Sequence, residues 1–182
     1  VQVIIDEAGH LTGMVNDLLD ISKLQAGVTQ LNKTHFNLTK NLQAAVQRIG
    51  RMASANEFTI ELICDHDEEV FVDADEFKIY QVVYNLINNA LNYSGDSRHV
   101  IVRQECIGDT VKVSVQDFGP GIAKENLTLV WERYYKVDKE HRRSFNGSGL
   151  GLAIVRKILE LHNAQYGVDS TLGRGSTFWF CL

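Results

Sequence analysis

Asp117-Phe118-Gly119-Pro120-Gly121-Ile122 and, further downstream, Gly147-Ser148-Gly149-Leu150-Gly151-Leu152 are the stretches whose reading decides the fold. Both are glycine-rich loops. Glycine lets a backbone approach a ligand closely and adopt positive φ. The second loop runs directly into Ala153-Ile154-Val155-Arg156-Lys157-Ile158-Leu159, which reads as a helix. A helix N-terminus with free N–H groups is a natural phosphate site. Together the two loops predict a nucleotide pocket.

The rest of the composition is compatible with that reading. The chain has 182 residues, room for one domain of ordinary size plus an appendage. It is 45% hydrophobic and 23% charged, which is a globular composition. A net charge of −5 argues against a general nucleic-acid surface. Cys64, Cys106 and Cys181 are widely spaced and show no metal-ligand spacing, which favours a reduced, cytosolic setting. No apolar run is long enough to span a bilayer. The chain opens on Val1 without a leader-like segment, and the expectation is a piece of a longer protein.

Two parts are expected. In residues 1–26, Ile4, Ala8, Leu11, Met14, Val15, Leu18, Ile21 and Leu24 recur at helical spacing, with Gly27 as the stop. Such a stripe needs a partner to bury it. Residues 28–182 read as α+β. Helices are expected over 38–55, 75–93 and 149–163, and strands over 58–63 and 70–72. A hairpin joins 100–104 to 111–115 through Gly108-Asp109, and a last one joins 165–169 to 177–181 around Gly173-Arg174-Gly175. Helices and antiparallel strands are segregated, which predicts a two-layer α/β sandwich preceded by one long helix.

Candidate site residues cluster around the loops. Asn85 and Asn89 share one face of the 75–93 helix. An amide oxygen is a good neutral ligand for Mg²⁺, which takes hard oxygens and phosphate; the same pair can equally be a polar face in water. Tyr93, one turn on, can present its ring to a base. Asp117 ends an apolar strand, where its carboxylate can accept from the exocyclic amine of adenine. Guanine presents an acceptor there and would be rejected. A turn-starting Asp is the plainer alternative. Asp117-Phe118-Gly119 also imitates a protein-kinase triplet, but no matching catalytic loop precedes it. The second loop is neither a Walker motif nor a dinucleotide fingerprint. Between the loops, Trp131-Glu132-Arg133-Tyr134-Tyr135-Lys136 and then Lys139, His141, Arg142 and Arg143 suit a phosphate-covering lid.

These four blocks, in this order, resemble the N, G1, F and G2 boxes of sensor histidine kinases, within the wider family shared with DNA gyrase, MutL and the heat-shock chaperone ATPases. The resemblance covers 28–182. Val15-Asn16-Asp17-Leu18-Leu19-Asp20-Ile21-Ser22-Lys23-Leu24 is similar to the second helix of the kinase dimerisation hairpin, which makes 1–27 that helix, its first partner helix being absent. The resemblance implies a Bergerat ATP-binding fold with a mixed, mostly antiparallel sheet. It implies that Asn89 ligates Mg²⁺, Asn85 supports the phosphates, Tyr93 packs on adenine and Asp117 bonds its amine. Gly119 and Gly121 shape the base pocket, and Gly147, Gly149 and Gly151 cradle phosphate. Asn92, Ile122, Arg133, Tyr135, Lys136, Ser148, Leu150 and Leu152 complete the implied ATP-binding set. The implied partners are ATP, a helix bearing the phosphoacceptor histidine, a response-regulator receiver domain and a second copy of the chain, with no nucleic acid. The implied location is cytoplasmic, on a parent protein in a bacterial cell membrane.

Departures bear on mechanism. The family often has Lys or Arg where this chain has Asn92. Lys136 stands where Arg is usual, which would lose bidentate geometry. His162-Asn163-Ala164 replaces a His-Gly-Gly turn. The ATP-hydrolysing relatives place a water-activating Glu where this chain has Asn85, and an amide cannot act as general base. Transfer to an acceptor is therefore expected over hydrolysis. None of His10, His35, His66, His99, His141 and His162 has the family's acceptor context. The expected function is the ATP-binding catalytic domain of a sensor histidine kinase. The alternative is a degenerate pseudokinase module that binds partners without transferring phosphate.

Overall fold

The computed structural model describes residues 30–66, 68–135 and 149–182, together with Val15, Leu18, Leu19, Ile21 and Ser22. In chain order the elements are β1 (Thr34–Asn37), α1 (Leu38–Ala53), β2 (Thr59–Cys64), β3 (Phe71–Ala74), α2 (Glu76–Tyr93), β4 (His99–Ile107), β5 (Thr110–Asp117), α3 (Gly151–His162), β6 (Gln165–Thr171) and β7 (Gly175–Cys181). Short 3₁₀ turns lie at Ser54–Asn56, Gly95–Ser97, Lys124–Asn126 and Leu129–Trp131.

The five-stranded sheet runs β2-β4-β5-β7-β6, and a two-stranded sheet pairs β1 with β3. β2 lies parallel to β4; every other pair is antiparallel. The architecture is the expected α+β sandwich with a mixed, mostly antiparallel sheet. Strand alternation sends Val100, Val102, Val113, Val115, Phe178 and Phe180 to one face, where all are buried. That face forms one core with Leu38, Leu42, Ala45 and Ile49 of α1, Ile79, Val83, Leu86 and Ile87 of α2, and Ile154, Val155, Ile158 and Leu159 of α3. The apolar positions of each helix recur every three to four residues, which is why each presents one buried stripe.

The starts of α1 and α2 are set by side chains. Asn37 accepts from Lys40 N at 2.9 Å and caps α1. Asp75 caps α2 in the same way, accepting from Lys78 N at 3.1 Å. Its other oxygen accepts from Asn32 N at 2.9 Å. Asp75 N in turn donates to His162 Nε2 at 3.1 Å, at the far end of α3. α2 and α3 are thus locked together, N-terminus of one to C-terminus of the other.

Several expectations need correction. The strand β1 was not foreseen: four residues beside a helix start carry too little periodicity to be read, and it exists by pairing Phe36 with Val72. The first helix stops at Ala53, two residues early, because the chain tightens into 3₁₀ and then turns left-handed at Glu57 (φ 61°). The second strand shifts to Phe71–Ala74, and the last helix shortens to Gly151–His162. Within the N-terminal stretch, Val15, Leu18, Leu19, Ile21 and Ser22 are helical. Ile21 joins the core, whereas Leu18 is half exposed. Ile4, Ala8, Leu11, Met14 and Leu24 of the predicted stripe lie outside the described residues, as does His10.

The His162 lock has a pH signature. Nε2 accepts a backbone N–H and Nδ1 donates to Ile158 O at 2.8 Å, so the ring is neutral. Burial holds its pKa below the ordinary 6.5. A depressed value means that the stability it contributes is present above 6.5 and is lost as pH falls through the folded value. His162→Ala is expected to cost about 1–2 kcal/mol at pH 7.5. The gap to the unmodified chain narrows at pH 5. Urea denaturation of both proteins at the two pH values checks this; a gap independent of pH would contradict it.

Candidate nucleotide site

α2, the loop after β5, and the loop entering α3 converge on one region. On α2, Asn85, Asn89 and Asn92 follow one another along a half-buried flank while Leu86, Ile87, Ala90 and Leu91 face the core. Asn88 leaves this flank: its amide donates back to Tyr84 O at 3.0 Å. Asn85 lies against the second glycine loop. A β-carbon on Gly151 would stand 3.8 Å from the Asn85 amide oxygen. Asn85 Nδ2 is buried without a hydrogen-bond partner among the described residues. Such an orphan donor is a cost unless a ligand satisfies it.

The start of α3 is open to an anion. Leu150 occupies the N-cap position and no side chain caps the helix. The first-turn N–H groups are therefore available. Gly149 takes φ +72° and packs on the Tyr134 backbone, whose N–H donates to Gly149 O at 2.9 Å. This bond ties the aromatic-basic block to the glycine loop. Trp131 holds that block on the body of the domain, its ring edge-on to Tyr166 at 5.0 Å and to Phe178 at 5.5 Å. Arg156 of α3 adds an ion pair to Glu132 at 2.8 Å. Arg133 is exposed and Tyr135 half-buried on this segment; Leu150 is buried, and Leu152 packs partly on the core. Lys136, Gly147 and Ser148 lie outside the described residues, as do Lys139, His141, Arg142, Arg143 and hence the expected lid.

The loop after β5 is the most constrained part. Asp117 is 2% exposed. Its carboxylate accepts from Gly119 N at 2.9 Å. Burial dominates these bonds and pushes the carboxyl up to about 6. Gly119 sits directly on the Tyr93 carbonyl; any β-carbon there would collide with it. Tyr93 itself is 43% exposed, with burial of its hydroxyl raising its pKa. Gly121 takes φ +72° and presses on the Thr171 carbonyl. Ile122 N donates to Ser170 Oγ at 2.8 Å. The structure thus brings together Asn85 with Gly151, Tyr93 with Gly119 and Asp117, and Gly149 with Tyr134. It adds Ser170, Gly175 and Ser176 of the last hairpin to the loop's surroundings. Only Gly175 stood in a turn signal that pointed there. A separate cleft of about 470 Å³, between Trp131, Tyr166 and Arg156, contains none of the implied ATP-binding residues, although Trp131 and Glu132 of the expected lid segment line it.

Residues 74–182 match the family described as histidine kinase-, DNA gyrase B- and HSP90-like ATPase. The chain belongs to that family. It is 34% identical over 182 residues to the sensor histidine kinase WalK of Bacillus subtilis (strain 168). It is 30% identical over 179 residues to the circadian input-output histidine kinase CikA of Synechococcus elongatus. The alignments take in 97% and 98% of this chain but only 29% and 24% of those proteins. Full-length ShkA in complex with AMPPNP superposes on 99% of this chain and 37% of its own length, with TM-score 0.85 and 26% identity. The catalytic domain of the histidine kinase ThkA covers 83% of this chain and 95% of its own, with TM-score 0.71 and 25% identity. The chain therefore carries an ATP-binding catalytic domain of the sensor histidine kinase type.

Asp117 shapes stability as well as the site. Its folded pKa lies above the ordinary 3.8, so the stability it contributes is present below 3.8 and lost as pH rises through about 6. At neutral pH the buried charge costs on the order of 3 kcal/mol. Asp117→Asn keeps an acceptor for Gly119 N and removes the charge. Without nucleotide it is expected to melt higher than the unmodified chain at pH 7.5, with the difference shrinking at pH 4.5. Scanning calorimetry at both pH values checks this.

Proposed function

We propose that the site binds Mg²⁺-ATP and delivers the γ-phosphoryl group to a histidine on a separate helix. The observation that carries the reading is Asp117, a carboxylate kept buried at a cost to stability. A buried acceptor suits the exocyclic amine of adenine and repels the carbonyl of guanine. Tyr93 and Gly119 lie beside that carboxylate, and the uncapped start of α3 supplies N–H donors for phosphate. Asn89, one turn beyond Asn85, offers a hard neutral oxygen suited to Mg²⁺. The ion, when bound, would neutralise phosphate charge. This chain's own contribution is orientation: Asn85 toward the phosphates, Asp117 toward the base. Gly147, Ser148 and Lys136 belong to the proposal on sequence grounds.

Transfer is favoured over hydrolysis because position 85 carries an amide, which cannot deprotonate water. The half-exposed Val15 and Leu18 belong to the stripe by which the N-terminal helix would pair, in a homodimer of the whole protein and with the helix that bears the acceptor. The onward partner is a response-regulator receiver domain, and the setting is the cytoplasmic side of a membrane-anchored parent. Asn92, where a cation would add a phosphate contact, favours the second reading of a binding module with little transfer.

Titration calorimetry tests nucleotide choice. ATP with Mg²⁺ is expected to bind well above GTP, and Asp117→Asn is expected to weaken ATP by about 1–3 kcal/mol. Equal affinities for the two nucleotides would remove the adenine assignment. Transfer is tested with labelled ATP. This chain alone is expected to keep no acid-labile phosphate, and a fragment bearing the acceptor helix is expected to gain it. ATP binding without any transfer to that fragment would select the binding-module reading.

A further inference from the structure

The β6–β7 hairpin holds the 117–122 loop along its whole length. Gly175, at φ +96°, packs so closely under Asp117 and Phe118 that a β-carbon would collide with the Asp117 carbonyl. Gly173 N donates to Pro120 O at 2.7 Å. Gly121 presses on Thr171. At the end of the loop, Ile122 N donates to Ser170 Oγ at 2.8 Å. Backbone groups form most of these contacts, so no side-chain substitution can probe them cleanly. Ser170 is the exception.

The Ser170 hydroxyl is saturated. It has one proton and two lone pairs. The proton goes to Gly175 O at 2.8 Å. One lone pair takes Ile122 N–H. The Ser176 hydroxyl lies at 3.0 Å and, with the Ser170 proton already committed, must be the donor to the remaining lone pair. One side-chain oxygen thus joins the exit of the loop, at Ile122, to the two residues beneath its entry, Gly175 and Ser176. The loop has few alternatives. Gly119 abuts Tyr93 and Gly121 abuts Thr171 without room for an added atom, so the backbone cannot shift inward. Losing the Ser170 bond frees it to move outward, and Asp117 sits at its start.

We propose that Ser170 is a positioning residue for nucleotide binding, setting the shape of the 117–122 loop and through it the aim of the Asp117 carboxylate at the base. The proposal rests on the adenine reading of that loop. It differs from a plain hairpin-stabilising role in what it predicts for base selectivity. Thr110, whose hydroxyl donates to Ile107 O at 3.0 Å in the β4–β5 hairpin, supplies a matched control away from the site.

The test uses the full chain, with Mg²⁺-ATP and Mg²⁺-GTP affinities from titration calorimetry and melting temperatures from the same samples. Ser170→Ala is expected to weaken ATP about tenfold, the scale of one net hydrogen bond, while changing GTP little. Ser170→Thr, which keeps the hydroxyl, is expected to restore most of the loss. Thr110→Ala is expected to lower the melting temperature without moving either affinity. A folded Ser170→Ala that binds ATP as the unmodified chain does, while Asp117→Asn loses binding, rejects the role of Ser170 and leaves the adenine reading standing. If Asp117→Asn also binds normally, the adenine reading itself falls and the proposal with it. A variant-free measurement stands beside these: the Ile122 amide is expected to be protected from exchange in the nucleotide-free chain, and rapid exchange there overturns the proposal.

Discussion

The burial of one carboxylate constrains this domain more than any other single feature. Asp117 could be accommodated cheaply only as a neutral acid, and at neutral pH its charge opposes folding. The surrounding structure must therefore over-determine its place. β5 runs in the middle of the sheet with β4 on one side and β7 on the other, so the residue that ends it cannot drift. The loop that follows is packed between the end of α2 and the last hairpin. A domain selected only for stability would not keep this arrangement; the base contact proposed for Asp117 would give a reason to keep it.

Glycine is the means by which two backbones meet at that place. Gly119 lies on the Tyr93 carbonyl, the last turn of α2, which couples the helix carrying the asparagines to the loop carrying the aspartate. Any side chain at 119 would separate them. The second glycine loop works differently. Gly149 needs positive φ, and Gly151 starts a helix whose N-terminal donors are left uncapped. A serine or aspartate cap would stabilise α3 by roughly 1 kcal/mol but would occupy the donors proposed here for phosphate. In both loops local stability yields to access.

Much of this was legible in the sequence because its signals are local. The 75–93 helix carries an Asp cap and a heptad-like apolar stripe, and its asparagines fall on one flank whatever packs opposite. The Gly108-Asp109 turn between alternating runs specifies its hairpin without outside help. The signals that failed are non-local. β1 is a strand only because Phe71–Ala74 lies beside it, and the parallel pairing of β2 with β4 depends on one strand, β3, and one helix, α2, crossing over between them. Ser170 is the sharpest case. A serine in a strand near a turn has no distinctive pattern; its role comes from three hydrogen bonds to Ile122, Gly175 and Ser176, none of which periodicity encodes.

The departures from the family's pattern sort by the same physics. Asn163 replaces a glycine yet takes the left-handed conformation at φ 55°, and Ala164 N reaches Leu159 O at 3.0 Å to close the helix end. Asparagine tolerates that conformation better than most side chains, so the turn survives. His162, one residue earlier, then keeps the geometry it needs to meet Asp75 N. That bond pins α3 to α2 at the end away from the glycine loop, with Ile154, Val155 and Ile158 packed between. The asparagine at 163 therefore costs the site nothing, because what matters there is backbone shape. Position 85 is the opposite case. Asn85 stands where the hydrolysing relatives carry a Glu, one methylene longer, and an amide cannot take a proton from water as that carboxylate can. On the proposed reading, the change at position 85 bears on the chemistry and the change at 163 only on backbone shape.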